Sequence, residues 1–249
     1  MSSNNLKCIF IHGNSSSEIL WKPFQNILAQ YFDFQAHNVG YPSRVANKAL
    51  TWSKSRIVDD IFKNIPKDFK SNPIIFGHSL GGHLAIELAS KLPSLNQLVL
   101  FQCSPARNIQ MLSEYFDETA VSGGLMFNEK WSKDDHKVIC DELSYPHKST
   151  EDFRNSININ NEKLRKDLGS SLASEGLEDE WELLNKIKAQ KSLFLFDSDP
   201  IMKTNKIKQD LKELDSLKVV ISKAKGHYGL YYEPEILSQE VQSLILKTK

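Results

Sequence analysis

The sequence predicts an α/β fold: an open, mostly parallel sheet covered by helices on both faces. Three observations predict it. Short apolar runs recur along the chain and alternate with amphipathic stretches of helical period. Those runs are apolar throughout and do not alternate with polar residues, as expected of strands buried on both faces. The rhythm breaks once, between about Arg107 and about Leu177, and then resumes.

The elements follow in order. Lys7 to Ile11 is a buried strand bounded by Gly13. Trp21, Phe24, Ile27, Leu28, Tyr31 and Phe32 fall on one face of a helix. Phe34 to Asn38 is a second strand, closed by Gly40-Tyr41-Pro42. Trp52, Ile57, Ile61, Phe62 and Ile65 mark a helix that Pro66 stops, and Pro73 to Phe76 is a third strand. Leu80, Leu84, Ala85, Leu88 and Leu92 form the inward stripe of the next helix, which Pro93 ends, and Leu98 to Phe101 is a fourth strand.

The segment after Pro105 is polar and helix-leaning. Its apolar residues are scattered: Met111, Leu112, Tyr115, Phe116, Leu125, Met126, Phe127, Trp131 and Phe153. Asp134 to Lys137 and Asn158 to Asn161 are its most polar stretches. It reads as a helical cap, residues 107–177, inserted into a core formed by residues 1–106 and 178–249. The alternative is a set of ordinary crossover helices. The rhythm returns with a helix end at Trp181, Leu184, Ile187 and Lys188, then a strand at Ser192 to Phe196. Ile207, Leu211 and Leu214 mark a further helix, Leu217 to Ile221 the last strand, and Ile236, Leu237, Val241, Leu244 and Ile245 a closing amphipathic helix.

Composition excludes several classes. The 249 residues suit one α/β domain and can bury a large core without disulfide or metal staples. The 31 Lys and Arg balance 31 Asp and Glu, so a dedicated binder of nucleic acid or acidic membrane is not expected. Gly (11) and Pro (9) are too few for a collagen-like or linker protein. No apolar run approaches the roughly 20 residues that cross a bilayer. Met1 to Lys7 has no basic segment of the kind that opens a signal peptide, and the apolar run behind it, Cys8 to Ile11, is short. Cys8, Cys103 and Cys140 are widely spaced with no CxxC, which suggests buried thiols in a reducing cytoplasm and neither a zinc site nor a redox pair.

The chemistry centres on Gly77-His78-Ser79-Leu80-Gly81-Gly82, which follows an apolar strand and opens an amphipathic helix. A sharp strand-to-helix turn holds Ser79 at a strained position and projects its hydroxyl beside the helix N-terminus. Free N–H groups and the helix dipole favour negative charge there. Gly77 and Gly81, lacking Cβ, allow neighbouring backbone to approach.

On these residues the chain resembles the α/β-hydrolase family over nearly its whole length. The resemblance implies an oxyanion loop after an early strand and a triad in the chain order serine, acid, histidine. His12-Gly13-Asn14-Ser15 stands where that loop is expected, so the amides of Asn14 and Leu80 would hold the oxyanion, with His12 structural. Lys225-Gly226-His227-Tyr228 follows the last strand, where the family places its histidine, so His227 would be the general base. His37, His83, His136 and His147 have no comparable setting, and His78 is expected to be packed. The acid would lie after the strand ending at Phe196. Asp199-Pro200 matches the family's phase, so Asp199 would be the acid that orients His227; the glycine usual before it is missing, and Asp197 is the alternative.

His12-Gly13-Asn14 followed by Trp21 is also similar to the halide-binding loop of haloalkane dehalogenases. Those enzymes carry an aspartate at the elbow, and Ser79 stands there instead. The resemblance thus implies a serine hydrolase working through an acyl-enzyme on small carboxylic esters, without metal or organic cofactor. A C–C bond hydrolase or an acyltransferase is the alternative on the same scaffold, and a non-catalytic binding module is the alternative of another class.

Overall fold

The computed structural model describes residues 6–40, 51–125, 128–157 and 162–245. Tyr41, Pro42, Met126, Phe127 and Asn158 to Asn161, named above, lie outside them. Six strands are formed: β1 (Leu6–Ile11), β2 (Phe34–Val39), β3 (Ile74–His78), β4 (Gln97–Phe101), β5 (Gln190–Asp197) and β6 (Lys218–Lys225). They pair in the order β2-β1-β3-β4-β5-β6, and every pairing is parallel. The chain leaves β1 toward one edge and returns to the other side of it at β3. In open parallel sheets the crevice at the carboxyl ends of such strands is where ligands bind.

Between the strands run α1 (Lys22–Leu28), α2 (Lys54–Asn64), α3 (Leu80–Lys91), α4 (Ile109–Glu114), α5 (Val121–Leu125), α6 (Lys133–Ser144) and α7 (Glu151–Ser156). They are followed by α8 (Glu162–Glu175), α9 (Glu180–Lys186), α10 (Thr204–Asp210), α11 (Gly229–Tyr232) and α12 (Pro234–Ile245).

Side chains alternate across the sheet and divide the core by residue type. Ile9, Ile11, Ile75, Leu98, Leu100, Leu193 and Leu195 share one buried cluster with residues of α2, α3 and α9. Phe10, Phe76, Val99, Phe101, Phe194 and Phe196 share the other with α1 and α12. On that second face the Phe10 and Phe76 rings stack with centroids 4.8 Å apart. Every residue of β3 and β4 is buried, whereas β2 and β6, at the edges, are half-exposed.

Two elements differ from the sequence expectation. The helix expected from Trp21 to Phe32 is a 3₁₀ turn, Glu18–Trp21, running into α1, which ends at Leu28 and leaves Tyr31 and Phe32 beyond it. The last strand runs on from Ile221 to Lys225, because a register shift at Phe196/Asp197 lets Asp197 pair with Lys225. The segment expected as a cap holds α4 to α8 and, among the described residues, no strand beyond an isolated Phe116–Met202 bridge. Leu112, Tyr115, Trp131, Ile139, Phe153, Leu164 and Leu168 are buried in the same cluster as the aliphatic face of the sheet, so this segment shares a continuous core with it.

The start of α3 abuts the end of β1. A Cβ on Gly81 would lie 2.7 Å from the carbonyl carbon of Ile11, and one on Gly77 2.6 Å from the carbonyl oxygen of Gly81. Backbone on both sides cannot retreat. Gly81→Ala is therefore expected to destabilise the fold by roughly 1–3 kcal/mol or more, read from the midpoint of urea unfolding.

Candidate active site

Ser79 joins β3 to α3 with φ 53° and ψ −124°, a left-handed conformation that costs a non-glycine residue roughly 1–3 kcal/mol. Backbone bonds hold it there. Its N–H donates to the Phe101 carbonyl at 3.0 Å, and the Gly82 N–H donates to the Ser79 carbonyl at 2.8 Å. The loop after β1 lies against it: a Cβ on Gly13 would sit 3.2 Å from Cβ of Ser79. Asn14, Ser79 and Leu80 line one cavity of about 370 Å³, with Leu112, Phe116, Leu168 and Met202 among its apolar walls.

Asp199 and His227 meet. Nδ1 of His227 is 2.8 Å from Oδ2 of Asp199, and the two side chains are 2% and 0% exposed. Three further donors orient the carboxylate. The Ile201 and Met202 amides donate to its Oδ1 at 2.8 and 3.0 Å. The Gln102 amide donates to Oδ2, while its Oε1 accepts the Phe196 N–H at 2.6 Å. Asp197, the alternative left by the sequence, is exposed at the end of β5 and accepts the Ser198 N–H at 2.9 Å.

His227 is tied to the elbow through His78. The His227 carbonyl lies 2.9 Å from Nε2 of His78, the residue before Ser79. The His78 ring packs on His227 and Tyr228 with centroids 5.0 and 4.6 Å away. Burial, and secondarily the neighbouring His227, hold its pKa well below the ordinary imidazole value, so it is a neutral packing group. His12 is likewise buried, and burial lowers its pKa to about 4. Tyr228, buried beside them, shares a 2.6 Å hydrogen bond with Ser16, which links the loop after β1 to the residue following His227. Trp21, the residue behind the dehalogenase likeness, packs on Phe10 and Phe101.

Sequence reasoning missed Gln102 and a buried charge cluster. A polar residue directly after the apolar run of β4 was the available signal for Gln102. The cluster is built on Glu180, wholly buried at the start of α9. Nδ1 of His83 lies 2.9 Å from both of its oxygens, Nζ of Lys54 donates to Oε1 at 2.9 Å, and the Ala106 amide donates to Oε2 at 3.2 Å. Burial alone would disfavour charge on these groups. For His83, Cys103 and Glu180 outweigh burial and raise its pKa to about 10. For Glu180, His83 and Lys54 outweigh it and hold the carboxyl at about 2. Among the described residues, no group of three or more His, Cys, Asp or Glu side chains is placed to hold a metal ion, and no helix is long and apolar enough to cross a membrane.

No protein-family model matches the chain, and no curated protein matches it in sequence. Solved structures do match in shape. A mutant of the N-acyl homoserine lactonase AidH superposes with a TM-score of 0.78 at 17% identity, covering 98% of this chain and 90% of that one. A bacterial membrane phospholipase A gives 0.78 at 16% identity, over 99% and 80%. A carboxylesterase of the thaumarchaeon Nitrososphaera gargenis gives 0.74 at 13% identity, over 100% and 93%. The chain has the α/β-hydrolase fold.

The charge cluster makes stability pH-dependent in a defined direction. His83, raised in the folded state, contributes fully below pH 6.5, and its contribution is lost as pH rises toward about 10. Glu180, depressed, contributes above pH 4.5, and its contribution is lost as pH falls toward about 2. His83→Gln is expected to be less stable at neutral pH and to flatten the alkaline limb of a plot of urea midpoint against pH. An unchanged alkaline limb would show that His83 is not charged in the fold.

Proposed function

We propose that this protein is a serine hydrolase of the α/β-hydrolase type that cleaves carboxylic esters of small molecules through an acyl-enzyme. The observation that carries this reading is the buried Asp199–His227 pair, bound through His78 to the strained elbow that carries Ser79. Similarity in fold to a lactonase and to a carboxylesterase supports it.

The Ser79 hydroxyl attacks the ester carbonyl while His227 takes its proton. Asp199, already bonded to Nδ1, fixes the tautomer in which Nε2 accepts and stabilises the imidazolium that forms. The backbone amides of Asn14 and Leu80 receive the negative oxygen, where donors of this kind contribute about 3–4 kcal/mol each. Collapse of the tetrahedral intermediate breaks the ester bond, and His227 returns the proton to the leaving alcohol. Water, deprotonated by His227, then attacks the acyl-enzyme and releases the acid. No metal or organic cofactor takes part. The mostly apolar cavity suits an acyl chain. Residues 107–177 act as a cap over it: Ile109, Leu112, Phe116, Leu168 and Leu177, all from that segment, line the cavity. Three free, buried cysteines suit work in a reducing cytoplasm.

With p-nitrophenyl butyrate as substrate, Ser79→Ala is expected to lower kcat by about 10⁶ with the fold intact by circular dichroism. Asp199→Asn is expected to cost about 10⁴, whereas Asp197→Asn costs less than about tenfold. Retention of most activity by Ser79→Ala would overturn the mechanism, and a reversed order of the two aspartate variants would overturn the acid. For the cap, amide exchange in residues 107–177 is expected to be faster than in the sheet and to slow when an active-site inhibitor is bound. Protection equal to the sheet, with or without inhibitor, would count against a mobile cap.

A further inference from the structure

The cavity that holds Ser79 is mostly apolar, yet one part of its wall carries polar groups that the ester chemistry does not use. Lys54, at the start of α2, and Ser104, in the loop after β4, both line it. The Lys54 side chain is only 11% exposed. Its ammonium has three N–H donors. Among the described residues it makes one hydrogen bond, to Oε1 of Glu180, while Oε2 of Glu87 stands 3.9 Å away. Ser104 is 1% exposed, and its hydroxyl has no partner among the described residues. Buried polar groups are almost always paired. Here a cation with unused donors and an unpaired hydroxyl stand on the wall of one cavity. Glu180 links them, since it binds Lys54 directly and Ala106 two residues after Ser104.

We propose that Lys54 and Ser104 form a polar subsite that binds an oxygen acceptor on the substrate, a carbonyl or a carboxylate, away from the bond that is cut. Glu180 holds Lys54 in place, so it is a positioning residue. The preferred substrate is then an ester whose acyl chain carries oxygen beyond the scissile carbonyl. His83, one helical turn from Ser79 along α3, lines the same cavity as the subsite and the nucleophile. This specificity rests on the ester-hydrolase reading above.

Three methyl esters of equal chain length test it: methyl hexanoate, methyl 5-oxohexanoate and monomethyl adipate. For the wild-type protein, kcat/KM for at least one of the two oxygenated esters is expected to exceed that for methyl hexanoate by about tenfold or more. The keto arm and the carboxylate arm distinguish a neutral from an anionic acceptor. Lys54→Met is expected to bring that ratio within about threefold of unity, and Ser104→Ala to lower it in part. A wild-type ratio near one, or a ratio that Lys54→Met leaves intact, would overturn the subsite. If Lys54→Met does not fold, Lys54→Gln, which is one atom shorter, polar and uncharged, gives the same comparison. Calorimetric binding of the three esters to Ser79→Ala separates the two claims. A binding preference without hydrolysis by the wild type would leave the subsite standing and overturn the ester-hydrolase reading. Hydrolysis without preference would do the reverse.

Discussion

The turn at Ser79 is the constraint on which the rest of the site depends. A strand buried on both faces must become a helix within one residue, and Ser79 takes φ 53° to do so. That conformation is costly for a residue with a Cβ, so the surroundings must enforce it. They do so by close contact. Gly81 lies against the backbone at the end of β1, Gly77 against Gly81, and Gly13 against the Ser79 side chain. The same contacts bring the loop after β1 beside the serine, where its amides can serve an oxyanion. Strain at the serine and placement of the loop after β1 beside it are thus one packing arrangement.

The other half of the site is built by hydrogen bonds. Asp199 lies beyond the bulge that ends β5, and its oxygens are claimed by Ile201, Met202, Gln102 and His227. Gln102 itself has φ 40°, a second strained position, directly after β4. Its amide spans from the Phe196 N–H to Asp199, so the strand end and this carboxylate are set together. A carboxylate with this many donors has little freedom, which suits a group whose task is to hold one imidazole tautomer. Beneath the cavity, Glu180 joins α2, α3, α9 and the loop after β4 through Lys54, His83 and Ala106. Removing one partner of such a cluster leaves the others charged and buried, a far larger cost than the pair's net worth.

Much of this was legible in the amino-acid sequence, for physical reasons that also mark the limits. Strands buried on both faces show as unbroken apolar runs, so β1, β3, β4 and β5 were found within a few residues. Pro66 and Pro93 placed the helix ends, whose C-caps are Ile65 and Leu92. Ser79 was recognisable because the strain at the elbow restricts its neighbours to glycine, and local sequence records that. The sequence favoured Asp199 but left Asp197 as an alternative two residues away, because the bulge that sets the phase depends on pairing with β6. Lys225 is far away in the chain. His83 and Glu180 were missed for a similar reason. They stand 97 positions apart, and nothing local to either reports the other. The run from Arg107 to Leu177 holds α4 to α8 among its described residues, and its burial against the sheet follows from tertiary packing and not from periodicity.

On the proposed mechanism the strained serine is a nucleophile served by His227. The most direct test is covalent labelling of the native protein with a fluorophosphonate probe, followed by peptide mass spectrometry. One phosphonyl group per chain is expected, on Ser79, with loss of labelling in a His227→Ala variant that remains folded. An unlabelled native protein, or a label carried by any other residue, would contradict it.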